Sequence, residues 1–236
     1  MSEYHWLKSM DIEFPDPNEA DSEGIVAIGG DLSIPTLLSA YRIGIFPWFN
    51  ENQPILWWSP DPRFVLFPKE LKIAKSMRSY FNQKKFKITF DHAFQSVINA
   101  CQEIRRKGQL PGTWITEDMK RAYIQLHNAG YAHSVEVWDD EDLVGGLYGV
   151  AIGKVFFGES MFSLKSNASK MGFIQLVKTL RSRGYKIIDC QQETRHLQSL
   201  GARSIPRKIF LDRIKKLTMY PTDNESWSSW SEETDA

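Results

Sequence analysis

The 236-residue chain has only two cysteines, no long hydrophobic run and no glycine-rich phosphate loop, and each absence narrows its function. Cys101 and Cys190 lie in apolar contexts without the spacing of a zinc site, so they read as reduced core thiols of a cytoplasmic protein. No apolar stretch approaches the ~20 residues that span a bilayer. The first residues, Met1 to Trp6, lack the basic and then apolar pattern of a secretory signal, so no membrane partner is expected. A P-loop, a GxGxxG after a strand, HExxH, an EF-hand loop and paired CxxC motifs are all missing. The histidines at 5, 92, 127, 133 and 196 form no ligand cluster, and no Ser/His/Asp triad assembles from spacing. Neither a metal nor a cofactor is expected. What remains is carboxylates, an amide and aromatic rings, a set suited to positioning a reaction that is already easy.

Formal net charge is zero, but the acids crowd the ends. Seven acids against Lys8 alone occupy residues 1–23, and 221–236 hold acids and no base, which leaves 28 basic against 17 acidic side chains between them. A basic body of this kind is the footprint of a polyanion binder. Its densest patch is Lys72, Lys75 and Arg78, which share one face of a helix expected over 70–82, extended by Lys84 and Lys85; the alternative is a solvated face.

The pattern divides the chain into a small N-terminal domain (1–62), a larger domain (63–220) and an acidic, poorly ordered tail (221–236). In the first part, Ser33 caps a helix that carries Leu37, Leu38 and Tyr41 on one face. A Pro-rich stretch then holds Trp48, Trp57 and Trp58, which either plug a core or offer a stacking platform. In the second part, Asp91 and Thr116 cap helices. A meander follows from Ala132 through Leu143–Ile152 to 154–158, and glycines in its central strand suggest a splay, a bulge or close approach of a ligand. His133 reads as structural.

Two acids stand in unusual places. Glu159 closes the run Val155-Phe-Phe-Gly, and Asp189, followed by Cys190 and Gln191, closes Tyr185-Lys-Ile-Ile. Between them Met171, Ile174, Val177 and Leu180 recur at helical spacing after Asn167. A right-handed crossover lays the two strands parallel, with both acids facing one crevice; the alternative is that each acid caps a neighbouring turn. Helix, meander, strand, helix, strand is the order of an N-acetyltransferase (GNAT) core, so the fold class is α+β with a mixed, mainly antiparallel sheet flanked by helices. The entrance Ser163 to Lys170 has no glycine to cradle a pyrophosphate, which disfavours acetyl-CoA as donor.

The strings Gly44-Ile-Phe-Pro-Trp-Phe, Trp57-Trp-Ser-Pro-Asp-Pro-Arg63, Gly112-Thr-Trp-Ile-Thr, His133-Ser-Val-Glu-Val-Trp, Leu143-Val-Gly-Gly-Leu-Tyr-Gly-Val, Phe157-Gly-Glu-Ser-Met-Phe-Ser and Ile188-Asp-Cys-Gln191 resemble the leucyl/phenylalanyl-tRNA-protein transferase family over about residues 24 to 210. The resemblance implies transfer of Leu, Phe or, less readily, Met from aminoacyl-tRNA to the α-amine of proteins beginning with Arg or Lys, which marks them for degradation. It implies that Asp189 and Gln191 hold the attacking amine and that Trp48 and Trp114 flank the terminal adenosine. It further implies an amino-acid cavity lined by Leu147, Phe156, Glu159, Phe173, Leu176 and Ile188, and an acceptor stem on the basic stripe. A monomer is expected. Two other classes stay open: transfer from tRNA to peptidoglycan or a small-molecule amine, and RNA binding without catalysis.

Overall fold

The computed structural model describes residues 5–83, 85–104 and 115–234 and contains two sheets. The first has the order β1-β2-β4-β3, from β1 (His5–Leu7), β2 (Ile25–Gly29), β3 (Phe46–Pro47) and β4 (Leu56–Trp58). Helix α1 (Ile34–Arg42) leads from β2 to β3. The carboxylate of Asp31 accepts from the Ser33 backbone N–H and the Thr36 hydroxyl, so it secures the entrance; the Ser33 side chain, the expected cap, makes no capping bond.

The second sheet comprises β5 (Arg63–Leu66), β6 (Lys87–Phe90), β7 (Ala132–Asp139), β8 (Asp142–Ile152), β9 (Val155–Ser163), β10 (Ile187–Gln191) and β11 (Arg203–Ile205), in the order β11-β5-β10-β9-β8-β7-β6. The meander β7-β8-β9 is antiparallel throughout. Helix α5 (Ala168–Ser182) carries the chain from β9 to β10, and these two strands run parallel, with Ile187 opposite Val155 and Asp189 opposite Phe157. The remaining pairings of this sheet are antiparallel. One face packs against α1, α3 (Phe94–Glu103), α4 (Glu117–Asn128) and α7 (Arg207–Leu217), in a core continuous with Trp57 and Phe46 of the first sheet. The other face packs against α2 (Lys75–Asn82), α5 and the C-terminal segment.

Both central strands break register where the parallel pairing stops. Gly149 pairs with Gly158 and Tyr148 with Ser160, which leaves Glu159 as the extra residue of a bulge. Asp189 pairs with Val65 and Gln191 with Phe64, which leaves Cys190 extra on β10. The strand expected over 154–158 therefore continues to Ser163, with Glu159 inside it and not at its end. Gly149 is required by crowding within the sheet, since a Cβ there falls 2.2 Å from the Phe157 carbonyl oxygen and 2.5 Å from the Phe156 ring.

One expectation fails on this face. Asp91 caps no helix; Ala93 holds that position in α3. With φ 56°, Asp91 accepts from the Ser134 backbone N–H at 2.8 Å, contacts His133 Nδ1 at 2.8 Å and accepts from the Trp227 backbone N–H at 2.8 Å. The segment expected as an acidic, poorly ordered tail over 221–236 is described as far as residue 234. Trp227–Thr234 forms a 3-10 helix in which Trp227 and Trp230 are buried. Trp227 stacks on His133 at 3.8 Å and on Trp230 at 4.1 Å, and the Arg183 guanidinium covers Trp230 at 4.0 Å. Two tryptophans amid Ser, Glu and Thr hold too little apolar surface to order by themselves, but a preformed aromatic slot supplies the rest. The segment crosses Gly130, where a Cβ would meet the Asn224 carbonyl oxygen at 2.0 Å.

Truncating Trp227 to Ala removes a buried indole and its stacking partner, and urea unfolding should show a loss of about 3–5 kcal/mol. A midpoint equal to that of the parent protein would mean that this segment is not docked.

Candidate active site

The split between β9 and β10 opens a cavity of about 370 Å³. Its apolar floor is Leu147, Phe156, Phe173 and Ile188, joined by Met161 and Leu197, which were not singled out from sequence. Its polar side is Glu159, Asp189 and Gln191, so the bulges on the two strands bring the three expected polar groups to one wall. Leu176, three residues along α5 from Phe173, is fully buried in the core and does not line the cavity. Trp48 stands at the cavity edge, 37% exposed, with its ring 5.4 Å from Trp58, whose indole N–H donates to the Trp48 carbonyl at 2.6 Å. Trp57 takes the other role considered for this cluster: it is fully buried and donates to the Gly29 carbonyl oxygen at 2.8 Å. Trp114 lies outside the described residues.

Asp189 is fully buried and is answered by Arg63, whose Nε and Nη2 donate to its two oxygens at 2.8 and 2.6 Å. The guanidinium sits between the rings of Phe46 and Phe210, 4.7 Å from each centroid. Asp189 also accepts from the Gln191 backbone N–H at 2.9 Å, which braces the bulge where Gln191 takes φ 59°. Arg63 opens the apolar run of β5 on the strand beside β10, and the need of a buried acid for a cation was the signal that could have found it.

Glu159 is held from the opposite side. Toward the ionised carboxylate Tyr41 of α1 donates to Oε1 at 2.7 Å and Tyr123 of α4 to Oε2 at 2.8 Å, while the Gln191 side-chain amide donates to Oε1 at 3.2 Å. Burial raises the Glu159 carboxyl most; hydrogen bonds that the tyrosines donate to its ionised form oppose it, the Asp189 charge adds to it and Arg63 opposes it, and the result is about 7. Burial, and then the neighbouring Glu159, push both phenols well above their usual range. Tyr41 and Tyr123 belong to the inward stripes of their helices, and a buried hydroxyl in such a stripe needs a polar partner. His196 of the short helix α6 (Arg195–Ser199) also lines the cavity, and burial, with Lys170 nearby, keeps its imidazole below the usual range.

The basic stripe is only partly helical. Helix α2 begins at Lys75, and the backbone N–H of Lys72 donates instead to the Leu200 carbonyl oxygen at 2.9 Å, a tertiary bond that overrides local helix propensity. Lys72, Lys75, Arg78 and Lys85 are exposed, Lys85 with its ammonium 5.0 Å from the Tyr80 ring centroid. Lys84 is outside the described residues. Among the described residues no group of His, Cys, Asp and Glu is arranged to hold a metal ion, and no helix is long and apolar enough to cross a membrane.

The family model described as leucyl/phenylalanyl-tRNA protein transferase matches residues 65–215, and the model of that family's N-terminal domain matches 30–61. A leucyl/phenylalanyl-tRNA–protein transferase of Pseudomonas syringae is 53% identical over 226 residues, 95% of this chain and 97% of its own. One from Flavobacterium johnsoniae is 57% identical over 205 residues, 87% and 96% of the two chains. Similarity thus reaches beyond the span read from motifs. Among solved structures, L-PGS from Bacillus licheniformis aligns with TM-score 0.42 at 9% identity over 80% of this chain and 71% of its own. A functionally unknown conserved protein from Staphylococcus epidermidis gives 0.43 at 8% identity over 77% and 68%.

Replacing Arg63 by Met leaves the Asp189 charge buried and alone, and should cost about 3–5 kcal/mol in urea unfolding; adding Asp189→Leu should recover much of that loss. A double variant no more stable than the single one would count against the pairing. The raised Glu159 carboxyl contributes a second effect, because its neutral form is favoured on folding. That contribution is present below about pH 4.5 and fades as pH rises through 7, so stability should fall on the order of 2–3 kcal/mol more in the parent than in Glu159→Gln across that interval. Parallel stability curves for the two proteins would refute it.

Proposed function

Because this chain belongs to the leucyl/phenylalanyl-tRNA protein transferase family and so moves an aminoacyl group from tRNA to a protein, we propose the finer reading that it transfers Leu, Phe or, less readily, Met to the N-terminal α-amine of proteins that begin with Arg or Lys. In this reading the product is marked for degradation, the enzyme works in the cytoplasm as a monomer, and the larger sheet with its helices is a GNAT-like core. The observation that carries it is the cavity itself: an apolar floor of a size for one large aliphatic or aromatic side chain, meeting Glu159 and Gln191 at its wall.

The reaction is aminolysis of an ester. The amine nitrogen attacks the carbonyl carbon, a tetrahedral oxyanion forms, and the C–O bond to the ribose breaks as the nitrogen's proton passes to the departing oxygen. Alignment of two bound reactants supplies much of the rate, worth about 7–11 kcal/mol in well-oriented cases. Leu147, Phe156, Phe173 and Ile188 grip the amino-acid side chain, while Trp48, with Trp114, flanks the terminal adenosine. The Gln191 amide gives its N–H to Glu159, which leaves its carbonyl oxygen to accept from the attacking amine. That amide is too weak a base to take the proton alone. Asp189 acts on the backbone of Gln191, and Glu159 acts on its side chain. The exposed cations Lys72, Lys75, Arg78 and Lys85, with Lys84, hold the acceptor stem.

Incubation with labelled leucyl-tRNA and a peptide starting with Arg should place the label on that peptide and not on one starting with Asp. Gln191→Ala should lower kcat/KM about 100-fold with folding intact. Absence of label from the Arg peptide would reject the reading, and an undiminished rate in the variant would reject the role of Gln191. Charge reversal at Lys75 and Arg78 should raise KM for the tRNA and flatten its salt dependence, with kcat little changed. An unaltered KM would remove the stripe from the tRNA site.

A further inference from the structure

Three side chains close a ring behind the cavity wall. The Tyr41 and Tyr123 hydroxyl oxygens are 2.5 Å apart, and they stand 2.7 Å from Glu159 Oε1 and 2.8 Å from Glu159 Oε2 respectively. All three separations are hydrogen-bond lengths, and each needs one proton between its oxygens. The two hydroxyls supply two. With Glu159 ionised, one contact of the three sets lone pair against lone pair. A third proton, on the carboxyl, completes the ring head to tail: carboxyl to Tyr41, Tyr41 to Tyr123, Tyr123 to the other carboxyl oxygen.

The surroundings agree with that proton count. The groups that face Glu159 and its partners are Tyr41 from α1, Tyr123 from α4, Tyr148 from β8, Asp189 from β10 and Arg63 from β5. The one cation among them, Arg63, is bound through two bonds to Asp189 and is no counter-charge for Glu159. A third anion-stabilising contact comes only from the neutral Gln191 amide. A carboxyl in this setting has a dissociation range close to neutral pH, so a single added positive charge within a few ångströms is enough to ionise it.

We propose that Glu159, kept a neutral acid by burial, is held in a closed ring by Tyr41 and Tyr123 as positioning residues in the empty enzyme, and that a cationic acceptor N-terminus entering the cavity discharges this proton to solvent and takes the resulting carboxylate as its counter-charge. The second half rests on the acceptor reading above. The O–H bond of Glu159 breaks with its electron pair kept by the carboxylate, and the proton goes to buffer. Selection for a basic first residue then follows from ionisation on demand, because a neutral side chain entering the cavity leaves the ring closed.

Infrared difference titration of the full chain between about pH 5 and pH 9 tests the first half. A protonated-carboxyl band should vanish with a midpoint near 7 and be missing from Glu159→Gln. In the ring, protonation gains one hydrogen bond, so Tyr41→Phe and Tyr123→Phe should each increase the acid dissociation constant roughly tenfold. Hydroxyls that served only as donors to a carboxylate would have the opposite effect when removed. A carboxylate already present at about pH 6, or a midpoint that rises in both Phe variants, overturns the stored proton. Calorimetry with argininamide in two buffers of different ionisation heat tests the second half. At about pH 6 the parent should release close to one proton more per bound molecule than Glu159→Gln. Equal release overturns the discharge. If argininamide binds neither protein while the infrared result stands, the acceptor reading fails and the discharge with it, and the neutral ring remains.

Discussion

The buried pair between Arg63 and Asp189 is the interaction on which the rest of the structure depends. Two charges without water are tolerated only when their geometry is complementary and their other polar atoms are occupied. Here the guanidinium fork meets both carboxylate oxygens and two aromatic faces cover it, while its buried Nη1 has no hydrogen-bond partner among the described residues. The four elements that meet in this pair are β5, β10, the first sheet through Phe46 and α7 through Phe210. Because Asp189 also fixes the Gln191 backbone, the same contact shapes the bulge that turns Gln191 toward Glu159.

The two bulges divide labour between the strands. Up to Phe157 and Asp189 the strands are paired in the ordinary parallel way. Just beyond, each has an unpaired extra residue, Glu159 two residues on and Cys190 one, and the sheet opens between them. Apolar side chains form the floor, while of the polar ones Glu159 is held by tyrosines from α1 and α4 and Asp189 by Arg63 of β5. Apolar floor and polar wall thereby meet where two neighbouring strands each carry a bulge.

Much of this was legible in the sequence because the signals were local. The periodicity of α5, the meander and the placement of Glu159 and Asp189 after apolar runs follow from residues within one element or its neighbour. Other features depend on contacts across the chain. Asp91 stands before a helix as a cap would, yet its partners are Ser134, His133 and Trp227, the last of them 136 residues away. The tail reads as disordered until the slot formed by His133 and Arg183 is known. Lys72 is withdrawn from α2 by one backbone bond to Leu200, and Leu176 differs from Phe173 only in its depth along α5. The partners of Arg63, Tyr41 and Tyr123 are not legible from their own segments, because they lie on distant strands.

The provenance of Tyr41, Phe46 and Trp48 bears on modularity. The segment before β5 supplies a hydroxyl to the Glu159 ring, an aromatic cover for Arg63 and part of the cavity edge. It is a component of the cavity and its bracing and not a separable accessory. A fragment starting at Arg63 would inherit every strand of the larger sheet yet expose its own central ion pair to water. Recombination or splitting of such a chain therefore has to leave these first elements joined to, or able to reassociate with, the strands that carry the acids.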